Sequence, residues 1–221
     1  MAKMLQFCSN PTSSNRFGGK RPINRKIVVL GDGACGKTSL LHVFARGHFP
    51  QVYEPTVFEN HMQEVIVDDH TIELALWDTA GQEEFDRLRS LSYADTHVIM
   101  LCFSVDQPTS LENTESKWLD EIVEHCPGVK ICLVALKCDL RDDPRTQNNL
   151  ANYGLRPVDY EQGLAAARRL RASRYLECSA KHNRGVQEAF QEVARVSIKS
   201  KSMGLTRNSL RDRHSVSCVI S

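Results

Sequence analysis

The residues with the most specific chemistry in this 221-residue chain are consecutive: Gly31-Asp32-Gly33-Ala34-Cys35-Gly36-Lys37-Thr38 fills every fixed position of the pattern G-x-x-x-x-G-K-[S/T]. A glycine-rich loop leading into a helix turns backbone N–H groups and the helix dipole toward one point, which suits phosphate oxygens. Lys37 would reach the terminal phosphates of a nucleoside triphosphate, and the Thr38 hydroxyl would hold Mg²⁺. The loop alone specifies neither the base nor the reaction. Three further stretches carry chemistry: Asp78-Thr79-Ala80-Gly81-Gln82, an acid at a strand end followed by a small, flexible turn; Leu136-Lys137-Cys138-Asp139; and Ser179-Ala180-Lys181.

These stretches need a scaffold that brings them to one edge. Ile27-Val28-Val29-Leu30 reads as a buried parallel strand, and Thr38 to Ala45 as a helix with Leu40, Leu41 and Phe44 at packing spacing. Gly47 to Phe58, with Pro50 and Pro55, reads as a loop over the nucleotide. Met62 to Val67 and Thr71 to Trp77 alternate around Asp68-Asp69-His70 and predict a β-hairpin, with Ile72, Leu74 and Leu76 on one side. Strands are expected at His97 to Phe103, Val129 to Leu136 and Tyr175 to Cys178. Helices are expected at Ser110 to Glu124 with Leu111, Trp118 and Ile122; at Asp159 to Ala172 with Leu164, Ala167 and Leu170; and at Asn183 to Ser200 with Val186, Phe190 and Val193 inward. The polar segment 141 to 156 could hold a short surface helix. The fold class is α/β: three layers, a mixed, mostly parallel six-stranded sheet with helices on both faces. The loops after Leu30, Trp77, Leu136 and Cys178 then share the carboxyl edge, where such sheets bind ligands. No internal repeat is apparent.

The composition, 41% apolar and 25% charged, suits one well-buried domain with tails. We read residues 1 to 24 as a flexible basic arm, 25 to 197 as the domain and 198 to 221 as a basic tail. No apolar run approaches 18 residues and no secretory leader is visible, so a cytosolic site is expected. The eight cysteines form no C-x-x-C pair or zinc spacing and read as free thiols, with Cys102, Cys132 and Cys178 as small apolar strand residues. The formal net charge of +1 hides segregation. Six Lys/Arg and no acid lie before Ile27, and six basic residues with Asp212 alone lie after Ala194; the middle carries 16 basic and 26 acidic residues, a net of −10. Basic tails on an acidic body point to an anionic membrane surface and not to nucleic acid.

With Thr56 in Pro55-Thr56, the stations appear in an order that resembles the Ras superfamily of small GTPases over residues 25 to 197. Tyr53-Glu54-Pro55-Thr56-Val57-Phe58-Glu59-Asn60, the run from Asp78 to Arg89, and the polar segment 141 to 156 are similar to the Rho family with its insert helix. The combination with Val52-Tyr53-Glu54-Pro55 and a basic arm looks like the fungal Rho-type branch linked to polarised growth and secretion. The resemblance implies a P-loop small G domain that binds GTP or GDP with Mg²⁺. Nucleotide contacts are implied for Gly31, Asp32, Gly33, Ala34, Cys35, Gly36, Lys37, Thr38, Ser39, Phe49, Tyr53, Thr56, Asp78, Gly81, Lys137, Asp139, Leu140, Ser179, Ala180 and Lys181. Thr38, Thr56 and Asp78 would serve Mg²⁺.

Asp139 would accept hydrogen bonds from guanine N1–H and the 2-amino group, which adenine cannot match. The Lys137 stem would lie on one base face, Phe49 on the other, and Ala180 N–H would hold the guanine oxygen. Gly81 N–H would sense the γ-phosphate, and Gln82 would orient the attacking water; with Lys37 and Thr56 these are the catalytic candidates. No Arg lies between Gly47 and Asn60, so intrinsic hydrolysis should be slow and depend on an activating partner. In the Ras case a trans Arg gives about 10⁵-fold, roughly 7 kcal/mol. The resemblance also implies exchange factors, a dissociation inhibitor and effectors that read segments 49–60 and 78–93. Two other readings stand beside the switch: a permanently GTP-bound adaptor, against which Gly33 and Gln82 argue, and a small-metabolite kinase, for which no acceptor signal is visible.

One position departs from the family pattern, which usually has Asn or Thr where Leu136 stands. An apolar side chain cannot bridge base and phosphate loop, so a loss of about 0.5–1.5 kcal/mol is expected, about two- to tenfold in affinity, with faster nucleotide release as the consequence. The chain ends Cys218-Val219-Ile220-Ser221, a C-a-a-X box that favours a farnesyl group on Cys218. A single prenyl chain anchors marginally, and the basic run Lys199, Lys201, Arg207, Arg211, Arg213 would add about 1 kcal/mol per charge at the cytoplasmic face of the plasma membrane. Cys8 is a candidate second acylation site.

Overall fold

The computed structural model describes residues 21–52 and 58–200. Six strands form one sheet in the order β2-β3-β1-β4-β5-β6: β1 (Ile23–Leu30), β2 (Phe58–Val67), β3 (His70–Thr79), β4 (Val98–Ser104), β5 (Lys130–Leu136) and β6 (Arg174–Glu177). All neighbours run parallel except the β2–β3 hairpin, whose register pairs Phe58 with Thr79 and Val67 with His70.

The period of two explains the layers. In β1, Ile27 and Val29 enter one core and Val28 and Leu30 the other; in β4, Met100 and Cys102 face opposite to Ile99, Leu101 and Phe103. Central strands buried on both faces need continuous apolar runs, which is why β1, β4 and β5 were readable. The first core is closed by α1 (Lys37–Arg46) and α7 (Val186–Ile198), where Phe44 stacks on Phe190 with ring centres 3.8 Å apart. The second is closed by α6 (Tyr160–Arg169) and by α3 (Pro108–Asn113), a π turn (Thr114–Trp118) and α4 (Leu119–His125), which run on as one helical rod.

Several expected boundaries shift. β2 starts at Phe58 and not at Met62: its first half is an exposed sheet edge without alternation, held by pairing to β3. The inner face of α6 is Gly163, Ala166 and Ala167, and Leu164 is only half-buried. Cys178 lies just past β6 rather than in it. Beyond Gln82 the chain forms a 3-10 turn (Glu83–Phe85) and α2 (Asp86–Ser90), elements too short for a period to reveal. The polar segment does hold a short surface helix, α5 (Pro144–Ala151), begun by Asp143 accepting from Thr146 N–H. Cys35, Cys102, Cys126, Cys132, Cys138 and Cys178 are free and buried, and no described helix is long and apolar enough to cross a membrane.

Candidate functional site

The phosphate loop connects β1 to α1 under tight steric control. Gly31 has φ +136°, and a Cβ there would stand 2.1 Å from the Cys102 carbonyl oxygen of β4, so only glycine fits. No side chain caps the start of α1 at Gly36, which suits N–H groups that are to meet an anion. Lys37 is only 5% exposed, and its ammonium donates to the carbonyls of Gly31 at 2.7 Å and Asp32 at 2.8 Å. The lysine is thereby folded back across the loop.

Asp78 is the last residue but one of β3, the neighbour of β1 in the sheet. Its carboxylate is fully buried; Oδ2 accepts from the Thr38 hydroxyl at 2.6 Å. Oδ1 is the one buried side-chain polar atom without a hydrogen-bond partner among the described residues. Burial pushes this carboxyl above its ordinary pKa, against the pull of Thr38 and Lys37. A buried carboxylate oxygen without a partner, beside the Thr38 hydroxyl, fits a small hard dication, so Thr38 and Asp78 are suited to Mg²⁺.

Gly81 lies flat against the loop: a Cβ there would stand 2.3 Å from Gly33 N. Gln82 follows, its side chain 3.7 Å from the point a Gly33 Cβ would occupy. Gly33, Lys37, Thr38, Gly81 and Gln82 line one cavity of about 930 Å³. It adjoins a pocket of about 190 Å³ walled by Phe49, Leu136, Lys137, Asp139, Leu140, Ala180 and Lys181, with Gly36, Ser39, Phe49 and Lys137 common to both. Phosphate end and base end are thus continuous.

The base pocket is shaped by two loops tied together. Cys138 N–H donates to Cys178 O, and the Ser179 hydroxyl donates to Asp139 Oδ1 at 2.6 Å, fixing the carboxylate while leaving Oδ2 for another donor. Lys137 takes the left-handed conformation, φ +55°, a strained backbone of the kind found at ligand clamps, and its ammonium reaches Asp106 at 3.3 Å. Arg141 makes a two-pronged bond to Glu177, at 2.7 and 2.9 Å, which braces the two loops from behind.

The sequence-predicted residues therefore converge, with differences of detail. Tyr53, Thr56 and Cys218 lie outside the described residues, as does Cys8. The Cys35 thiol is buried in the core beneath the loop, so only its backbone is available to phosphate. The Asp32 carboxylate turns to the helical rod, accepting from Trp118 Nε1 and Asn113 Nδ2, both at 2.7 Å. Sequence reasoning missed Asn113, Asp106, Arg141 and Glu177 and read Trp118 as core alone. Asn113 and Glu121 stand among many polar residues of a half-exposed rod, so nothing local singled them out.

Comparison with known proteins agrees with this geometry. The sequence pattern of the Ras family matches residues 26–199. GTP-binding protein Rho3 of Schizophyllum commune is 68% identical over 193 residues, 87% of this chain and 94% of that protein. GTP-binding protein rho3 of Schizosaccharomyces pombe is 59% identical over 208 residues, 94% and 99% of the two chains. GTP-binding protein RHO1 of Saccharomyces cerevisiae is 50% identical over 200 residues, 90% and 96%. A loop for phosphates, a buried acid beneath it and a pocket for a base, on a sheet of this order, accord with those matches: the chain belongs to the Ras family, as a Rho-type small GTPase.

Proposed function

We propose that this protein is a switch that alternates between GTP-bound active and GDP-bound inactive states at a membrane and signals to effectors in actin organisation, cell polarity and exocytosis. The observation that carries the switching is Gly81, whose backbone packs on Gly31–Gly33. Anything that changes at the phosphate end of the loop must be felt by the segment beginning there.

For binding, Asp139 accepts from guanine N1–H and the 2-amino group, the Lys137 stem and Phe49 cover the two base faces, and Ala180 N–H meets the guanine oxygen. Lys37 and the N–H groups at the start of α1 hold the β- and γ-phosphates. Thr38, Asp78 and Thr56 serve Mg²⁺, which when bound neutralises charge on the phosphate oxygens. Gly81 N–H donates to the γ-phosphate, and Gln82 orients a water in line with it. Attack forms the new P–O bond as the bond to the β–γ bridging oxygen breaks, giving GDP and phosphate. Loss of the γ-phosphate removes the contacts of Thr56 and Gly81, and segments 49–60 and 78–93 relax.

Hydrolysis is slow until an activating protein supplies an Arg, exchange factors reset the cycle, and a dissociation inhibitor maintains a cytosolic pool. Prenylation at Cys218 and the basic tail hold the active form at the cytoplasmic face of the plasma membrane. Single-turnover GTP hydrolysis of the wild type and Gln82→Leu, with and without a Rho-activating domain, tests this. The wild type should accelerate by several orders of magnitude and Gln82→Leu should not. Equal rates with and without that domain would refute the switch; a GTP-bound adaptor shows no turnover in either arm.

A further inference from the structure

Arg89, in α2, is 1% exposed and spends its guanidinium on four residues. Nη1 donates to the carbonyls of Ala80 at 2.8 Å and Gln82 at 3.4 Å, the two residues flanking Gly81. Nε and Nη2 grip both carboxylate oxygens of Glu121 in α4, at 2.7 and 3.0 Å, and Nη2 also meets Asp86. Tyr93 donates its hydroxyl to Glu121 at 2.5 Å, fixing that acid in turn. The guanidinium stands 4.8 Å from the centre of the Trp118 ring. That indole sends its N–H to Asp32 of the phosphate loop. One indole therefore lies between the group that holds the Gly81 segment and the loop on which Gly81 rests.

The helical rod is irregular where it makes these bonds. In a regular α-helix, residues five apart point about 140° away from one another, so Asn113 and Trp118 could not both face Asp32. The π turn at Thr114–Trp118 closes its hydrogen bonds five residues apart and returns such residues to nearly one face. Both then donate to the same carboxylate.

We propose that Arg89 is a positioning residue for hydrolysis: it fixes the peptides on both sides of Gly81, and with them Gln82, from the same helical rod that holds the phosphate loop at Asp32. This rests on the reading of Gly81 and Gln82 given above. A purely structural ion pair would need Glu121 alone; the bonds to Ala80 and Gln82 are directed at the segment that must stand in register with the γ-phosphate. Misplacement by about 1 Å at such a site costs about 100-fold in rate.

The test is single-turnover GTP hydrolysis by the full chain carrying Arg89→Lys, Glu121→Gln, Gln82→Leu or Arg89→Lys with Gln82→Leu, beside GTP affinity and thermal midpoints. Arg89→Lys keeps the charge but loses the fork, and should hydrolyse about 10- to 100-fold more slowly with GTP affinity within about threefold of the parent. Glu121→Gln keeps one acceptor and should fall part-way; it gives the same reading if Arg89→Lys melts below the assay temperature. The double variant should lose less than the product of the two single effects, because Arg89 acts through Gln82 and its neighbour Gly81 and not on its own. Parental rates in both Arg89→Lys and Glu121→Gln, or an additional independent loss in the double variant, overturn the proposal alone. A parental rate in Gln82→Leu overturns it together with the assignment of Gln82.

Discussion

Replacing Leu136 by Asn probes the base-pocket position at which the resemblance to small GTPases leads one to expect Asn or Thr. The Leu136 side chain is 2% exposed, belongs to the first core, and its Cδ1 stands 3.7 Å from where a Cβ on Gly36 would be. It already spans from the end of β5 to the phosphate loop, so an Asn amide of nearly the same shape would reach polar groups of loop and nucleotide. A net hydrogen bond contributes about 0.5–1.5 kcal/mol, which slows GDP release about two- to tenfold. The substitution also removes a buried Leu, costing about 1.5–3 kcal/mol of fold stability. The two effects have opposite signs and separate observables: the nucleotide-free protein should melt earlier while the bound nucleotide leaves later. Release of a fluorescent GDP analogue into excess unlabelled GDP, with melting followed by circular dichroism, measures both. An unchanged or faster off-rate in protein that melts above the assay temperature would falsify the bridging argument.

At Gly33 the nearest atoms to a Cβ would be those of the Gln82 side chain, at ordinary contact distance, so Gly33→Val should fold and bind GDP normally while its methyls displace Gln82 and cut single-turnover hydrolysis at least about tenfold. Gly31→Ala should instead fail as a fold, because its Cβ would stand 2.1 Å from Cys102 O; a drop of more than about 3 kcal/mol in urea unfolding is expected. Burial alone would raise the Glu177 carboxyl, but bonds from Arg141 and Tyr175 prevail and hold it below the usual range. A lowered carboxylate pKa contributes stability that is fully present above the unfolded value, about 4.3, and is lost as pH falls through the folded one. The stability gap between wild type and Glu177→Gln should therefore be widest near pH 7 and shrink below about pH 4 in urea midpoints; a gap independent of pH would refute it.

The strands and principal helices were legible because burial on both faces writes continuous apolar runs into β1, β4 and β5, and a one-sided stripe into α1 and α7. The exposed half of β2 and the five-residue α2 were not, since neither leaves a period. The π turn was invisible for a different reason: its partner, Asp32, lies 81 residues from Asn113, and no local pattern encodes a bond of that range.

The same contrast explains which site residues a motif can reveal. The fixed positions Gly31, Gly36, Lys37 and Thr38 are set by what the loop must offer a phosphate, so chemistry predicts them from the pattern alone. Asp32 is a free position of that pattern because its carboxylate faces the protein, where Trp118 and Asn113 receive it. Arg89 likewise faces inward, and its worth lies in bonds to the main chain of Ala80 and Gln82 rather than in any group a ligand would touch. Residues that touch a ligand are constrained by the ligand's chemistry and can be recognised one at a time. Residues that hold those in place are constrained only by one another, and become visible when the fold brings α2, the helical rod and the phosphate loop together.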